Sequence, residues 1–298
     1  MQVGQAPLAL GATLTMPHGR GPFPAVVLVA GSGPNDRDET IGSNKPFRDI
    51  AEGLAEHGIA VLRYDKRTKA HPEAFIGKPY TIDDEVTYDA VAAVELLRKQ
   101  SGIDPSRVFV LGHSLGAQMA PRIARRDPHV AGLILIAAPA HPLLDEMLRQ
   151  LHYIASLDPT HAKLLDAQAA MVETQRAQLA KLDASHPDAA GPLGLPASYW
   201  SSLRDGDPIA TAKKLDVPML ILQGDGDYQI SPQDDFPRWQ AAFAHDPRVT
   251  LHEYPGLSHL MMPAGNPPSP ADYAKPGHVD GRVIADIAAW IEAQVPRR

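Results

Sequence analysis

Residues 108–116 read Val108-Phe109-Val110-Leu111-Gly112-His113-Ser114-Leu115-Gly116. Four apolar residues run straight into a G-x-S-x-G turn. The run reads as a strand buried on both faces, as parallel sheets require. Beyond it, Leu115 to Ala124 mostly suit a helix, with Pro121 tolerable only near its start. A strand, a sharp turn and a helix put a serine hydroxyl above the sheet edge, beside backbone N–H groups that a helix start leaves unpaired. The flanking glycines suit a bend with no room for Cβ atoms, or one needing φ > 0. Such a serine is placed to attack an electrophile whose oxyanion those amides then hold.

A serine nucleophile needs a base, and the base needs an orienting acid. Downstream, Pro218 to Gln223 reads as another buried strand, running into Gly224-Asp225-Gly226-Asp227. Val249 to Tyr254 reads as a further strand, followed by Pro255-Gly256-Leu257-Ser258-His259. An acid therefore ends one late strand and a histidine follows the next. Both fall on the carboxyl edge of a parallel sheet, where open α/β sheets place their sites. Asp227 is the expected acid, because Asp225 sits against the glycine and suits a turn-stabilising role. His259 is the expected base. His252 lies within a strand, His278 in a loop near the last helix, and the backbone of His113 is committed to the turn.

The strand Ala25 to Ala30 leads into Gly31-Ser32-Gly33-Pro34. This flexible loop suits a second oxyanion donor, so the amides of Ser32 and Leu115 form the predicted pair. Two charged clusters, Asp36 to Glu39 and Arg63, Asp65, Lys66 and Arg67, fall in loops at the same edge. Mutual pairing that stiffens the oxyanion loop is the expectation, with contact to a polar substrate as the alternative.

These segments resemble the α/β-hydrolase superfamily, and more narrowly bacterial serine esterases of the dienelactone-hydrolase and prolyl-oligopeptidase-like branch. Phe23 to Glu39, Gly58 to Arg67, Gln223 to Gln229 and Tyr254 to His259 carry the likeness, which extends from about Leu8 to Ile291. It implies Ser114 as nucleophile, Asp227 as acid and His259 as base. Ala30 stands where the superfamily often has histidine, but only the neighbouring amide is needed for the oxyanion. Carboxylester hydrolysis is the activity implied. Acyl transfer and aminopeptidase-like amide hydrolysis by the same three residues stay open, as does a non-catalytic ligand-binding hydrolase fold.

Strand–helix alternation over 298 residues predicts one α/β core, a mostly parallel twisted sheet flanked by helices. It stops after Ala138. Residues 1–139 and 211–298 are assigned to the core, and 140–210 to a helical cap insertion over the site. Within the insertion Met171, Tyr199, Trp200 and Leu203 are candidates for an apolar substrate pocket. Helices are expected at 47–57, 83–100 and 279–293.

Net charge is −7 without a basic stripe or polybasic helix, so neither nucleic acid nor a membrane surface is an expected partner. A small ester is, and a homodimer is compatible with the chain. No apolar run is long enough to span a bilayer. Met1 to Ala6 lack the basic start and apolar stretch of a leader, which points to the cytoplasm, or to secretion or the periplasm where a leader has been removed. There are no cysteines and so no disulfides. No phosphate-binding loop with a lysine occurs, so no cofactor is expected. No metal is expected either: His141 with Asp145 lacks ligand spacing.

Overall fold

The structure is a computed structural model that describes residues 1–183 and 185–294. Ala184 of the expected insertion and the last four residues of the expected core lie outside that description. Among the described residues, eight strands form one sheet in the order β1-β2-β4-β3-β5-β6-β7-β8. They are β1 (Gln2–Val3), β2 (Leu10–Thr15), β3 (Phe23–Val29), β4 (Ala60–Tyr64), β5 (Ile103–His113), β6 (Leu133–Ile136), β7 (Met219–Gly224) and β8 (Val249–Tyr254). The β1–β2 and β2–β4 pairs are antiparallel, and every pairing from β4 to β8 is parallel.

Side chains alternate across a strand, and here both faces are dry. Val27, Val29, Val110, Leu133, Leu135 and Ile221 enter one buried cluster. Their neighbours Val26, Leu28, Phe109, Leu111, Ile134 and Leu220 enter the other. Helix α1 (Pro46–Glu56) packs on the second face. The one-turn α2 (Arg67–Ala70) follows β4. A π-helical turn, Asp83–Thr87, then leads into α3 (Tyr88–Arg98) on the first face. The predicted helix over 83–100 is thus two pieces, and its residues Val86, Ala90, Val94 and Leu97 are all buried.

Helix α4 (Leu115–Arg126) leaves the serine turn directly and keeps Pro121 in its second turn. Between β6 and β7 the chain forms α5 (Leu143–Leu157), α6 (Ala162–Leu179), α7 (Ala197–Arg204) and α8 (Pro208–Ala212). The expected boundary at 210/211 falls inside α8, which starts where the Asp207 carboxylate accepts the Ala210 amide at 2.7 Å. Helix α9 (Phe236–Phe243) joins the first face, and α10 (Gly281–Ala293) covers the second through Val283, Ile287 and Ile291. No described helix is long and apolar enough to cross a membrane.

Candidate active site

Ser114 sits between β5 and α4 with φ 54° and ψ −117°. A non-glycine residue there is strained and persists only when its surroundings hold it. The positive φ thus falls on the serine, and the glycines answer to the second demand, close approach. A Cβ on Gly112 would lie 2.2 Å from the Gly116 carbonyl oxygen, and one on Gly116 would lie 2.0 Å from that of Val29. The helix start is pressed against the end of β3, which brings the Gly31 loop up to the serine. A Cβ on Gly31 would stand 3.2 Å from that of Ser114.

Asp227 and His259 arrive from the ends of β7 and β8. His259 Nδ1 and Asp227 Oδ2 are 2.8 Å apart, and both residues are buried. Asp227 Oδ1 accepts the amides of Gln229 at 2.8 Å and Ile230 at 3.0 Å, while Oδ2 also accepts from Gln223 Nε2 at 3.2 Å. Asp227 is an acceptor on all sides, so Nδ1 of His259 carries the proton and Nε2 presents its lone pair. Asp225 instead accepts the amide of Gly256 at 2.6 Å, and the Gly226 amide donates to Leu257 at 2.9 Å. These two bonds stitch the acid loop to the histidine loop.

His113 links that loop to the serine turn. Its Nε2 lies 2.9 Å from the carbonyl oxygen of His259, and the two rings are 4.5 Å apart. Its Nδ1 is 3.0 Å from Glu39 Oε2, and Glu39 Oε1 accepts the Gly31 amide at 2.6 Å. Burial opposes charge on His113, but the Glu39 carboxylate, the His259 carbonyl and Asp227 together outweigh it and raise the imidazole above its ordinary value. The Ser114 hydroxyl makes no direct hydrogen bond to His259 among the described residues. That bond commonly tightens only when substrate is in place. His252 is exposed on β8, and His278 is an exposed partner of Asp49.

A cavity of about 430 Å³ opens on Ser114, Leu115 and Ser32. The amides of Ser32 and Leu115 donate to no protein acceptor among the described residues, so both are free for a ligand. The charged clusters pair with each other in part: Arg37 with Asp65 at 2.6 Å and Arg63 with Asp38, whereas Lys66 pairs outside them with Glu85 at 2.6 Å and Arg67 with Asp89. Of the four predicted pocket residues, Tyr199 lines this cavity, stacked edge-on to Tyr80 at 5.6 Å. Trp200 and Leu203 line a second cavity of about 290 Å³, which shares Gln118 and Leu143 with the first. Met171 lines neither and is 63% exposed. Helix α6 turns Ala169 and Val172 inward instead, with Leu179 against the same cluster, so Met171 lies off the face that docks.

The sequence reading missed the wall formed by Tyr80, Glu85, Leu193 and Leu195, and the α5 residues Leu143, Met147 and Gln150. Spacing of four and three along α5 was the available signal. It also missed a cluster of His141, Glu146 and Asp235, whose donor atoms lie within 4.8 Å of one another. Asp145 points elsewhere, to Arg176. The cluster fits a metal poorly. Asp235 already accepts the amides of Ala140 and Ser231, and Arg149 bonds Glu146 where a cation would sit. Burial first, then the Asp235 carboxylate, pushes Glu146 up to about 8 against the pull of Arg149. A carboxyl raised in the folded state binds a proton that the unfolded chain gives up, so stability falls as pH rises from about 4.5 to about 8. Glu146→Gln should flatten that slope, its gain over the parent growing from pH 5 to 8.5 in urea titrations.

The chain has known relatives. Esterase EstD of Thermotoga maritima is 44% identical over 282 residues, covering 93% of this chain. The chain spans 64% of the length of that relative. Among solved structures, Est1E from Butyrivibrio proteoclasticus with bound ferulic acid superposes with a TM-score of 0.60 at 17% identity, over 99% of this chain and 98% of that one. A puromycin-hydrolysing peptidase of Mycobacterium tuberculosis gives 0.59 at 18% identity, over 96% of this chain and 37% of that one. At such identities these two likenesses speak to the fold alone. Residues 41–263 match the family described as serine aminopeptidase, S33, and the chain belongs to that family of α/β-hydrolases.

Proposed function

We propose that the protein is a serine carboxylesterase working through an acyl-enzyme on Ser114. The observation that carries the reading is the buried Asp227–His259 bond of 2.8 Å, set on loops stitched to the serine turn, beside two unused amides. In this scheme His259 Nε2 takes the hydroxyl proton of Ser114, whose oxygen attacks the ester carbonyl. The Ser32 and Leu115 amides hold the negative oxygen. His259 then protonates the departing alcohol, and water repeats the sequence on the acyl group. Asp227 keeps the imidazole in the needed tautomer and stabilises its charged form. The similarity to EstD supports an ester as substrate.

One feature favours esters over peptides with a free N-terminus. The charged residues on the cavity wall are Glu85 and Glu146, among the described residues. Glu85 is neutralised by Lys66 at 2.6 Å, and Glu146 is bonded by Arg149 and raised to about 8. A substrate ammonium would find no unpaired carboxylate. The test is a panel of p-nitrophenyl esters of rising chain length beside aminoacyl anilides, with fluorophosphonate labelling mapped by mass spectrometry. Ester turnover with label on Ser114 is expected. Faster anilide cleavage would move the reading to a peptidase, and no label with no turnover would move it to a binding protein.

A further inference from the structure

We infer that Lys66 is a positioning residue for the oxyanion-binding amide of Ser32, acting through the carbonyl at the other end of the same peptide group. The inference rests on the esterase reading above.

The register of the sheet brings Lys66 beside Gly31. Val27 of β3 pairs with Leu62 of the parallel neighbour β4. Counting four residues on from each gives Gly31 and Lys66, so the two chains leave the sheet side by side. There the Lys66 ammonium donates to the Gly31 carbonyl oxygen at 2.8 Å, in a buried contact. The Gly31–Ser32 peptide is trans, so its C=O and N–H point in opposite directions. Holding the oxygen on the Lys66 side turns the Ser32 N–H away from it. Ser32 lines the same cavity as Ser114.

Each neighbouring contact restrains the same loop. The Gly31 amide is held by Glu39 at 2.6 Å, and Asn35 Nδ2 adds a second donor to the Gly31 carbonyl at 3.1 Å. Asn35 also binds the Ser32 carbonyl at 3.0 Å. Lys66 differs from these in bringing a positive charge to the Gly31 carbonyl oxygen. A cation on the carbonyl oxygen draws electron density through the peptide and makes the N–H at its far end a better donor. That favours the state in which negative charge has developed over the neutral ester. Burying an ammonium without a partner would be costly. Glu85 meets that need at 2.6 Å, and the two side chains are 5% and 9% exposed. A polarised peptide costs no reorganisation when charge appears, which is how oxyanion donors accelerate acyl transfer.

The decisive variant is Lys66→Met, which keeps the length of the side chain and removes its donors and charge. For a short p-nitrophenyl ester, kcat is expected to fall tenfold to a hundredfold, roughly, with KM changed by less than about threefold. The second readout is a trifluoromethyl ketone. Ser114 oxygen adds to its carbonyl carbon, the carbonyl electron pair moves onto oxygen, and the serine proton passes to His259. Its affinity should weaken by a factor similar to that in kcat, because it mimics the charged state. Asn35→Ala should give a smaller loss of the same kind, and it decides the matter where Lys66→Met does not fold. The inference is overturned by a folded Lys66→Met protein with parental kcat and ketone affinity. It is equally overturned by a loss carried in KM alone, or, where only Asn35→Ala folds, by parental kinetics in that variant. A parent enzyme that neither turns over esters nor takes the fluorophosphonate label would instead refute the esterase reading itself.

Discussion

Ser114→Ala is expected to lower kcat for a p-nitrophenyl ester by about 10⁶-fold, and Asp227→Asn by about 10⁴-fold. The two losses have different origins. In the proposed scheme the alanine variant would have no nucleophile, and what remained would come from the amides and binding alone. In Asp227→Asn the loss would be one of tautomer. Asp227 Oδ1 is fixed by the amides of Gln229 and Ile230, so the side-chain oxygen of an asparagine would sit there. Its NH₂ group would then face His259, forcing Nδ1 to accept and moving the proton to Nε2, where a base is needed. Asp225→Asn should cost less than tenfold, roughly, because among the described residues that carboxylate accepts only the Gly256 amide and an asparagine oxygen can do the same. Single-turnover kinetics on the three variants would check the order. Equal losses for the two aspartate variants would remove Asp227 from its proposed role.

The second large effect concerns stability. Gly116→Ala is expected to destabilise by about 3 kcal/mol, a fall in Tm of roughly 5–10 °C. The added carbon would lie 2.0 Å from the Val29 carbonyl oxygen and 2.9 Å from that of Ala30. Both are backbone atoms at the end of a central strand and cannot swing aside. The helix start must move from the sheet, taking the Leu115 amide with it, so activity in the folded fraction should fall too. Gly281→Ala is the matched control. No atom lies within 4 Å of a Cβ there, and the residue opens α10, so the change should be neutral or slightly stabilising. Differential scanning calorimetry of the two variants separates crowding from a general cost of losing glycine.

What could be read from the sequence divides along physical lines. The turn around Ser114 was legible because its causes are local: an apolar run, two glycines and a helix start within nine residues. Asp227 and His259 were legible because parallel strands end on one edge, so order along the chain predicts nearness in space. The inserted helices were less so. Their apolar spacing gave the helices but not the face each would bury, since that depends on what packs against them. Met171 shows the difference: a candidate pocket residue on α6, it faces solvent, while Ala169 and Val172 dock. Lys66 and Glu85 were also out of reach. A lysine nineteen residues before a glutamate has no periodic meaning, and only the return of the chain past the end of β4 brings them to 2.6 Å.

The helices α5 to α8 leave after β6 and return before β7, two strands that lie side by side. Departure and re-entry points of such an excursion are close neighbours, so its length can drift without disturbing the sheet. Most of the cavity's apolar lining hangs on this detour, whereas the proposed reacting groups stand on the frame beneath. Substrate range and chemical machinery are therefore written in separate stretches of chain. A lineage, or an engineer, can exchange the one while inheriting the other intact.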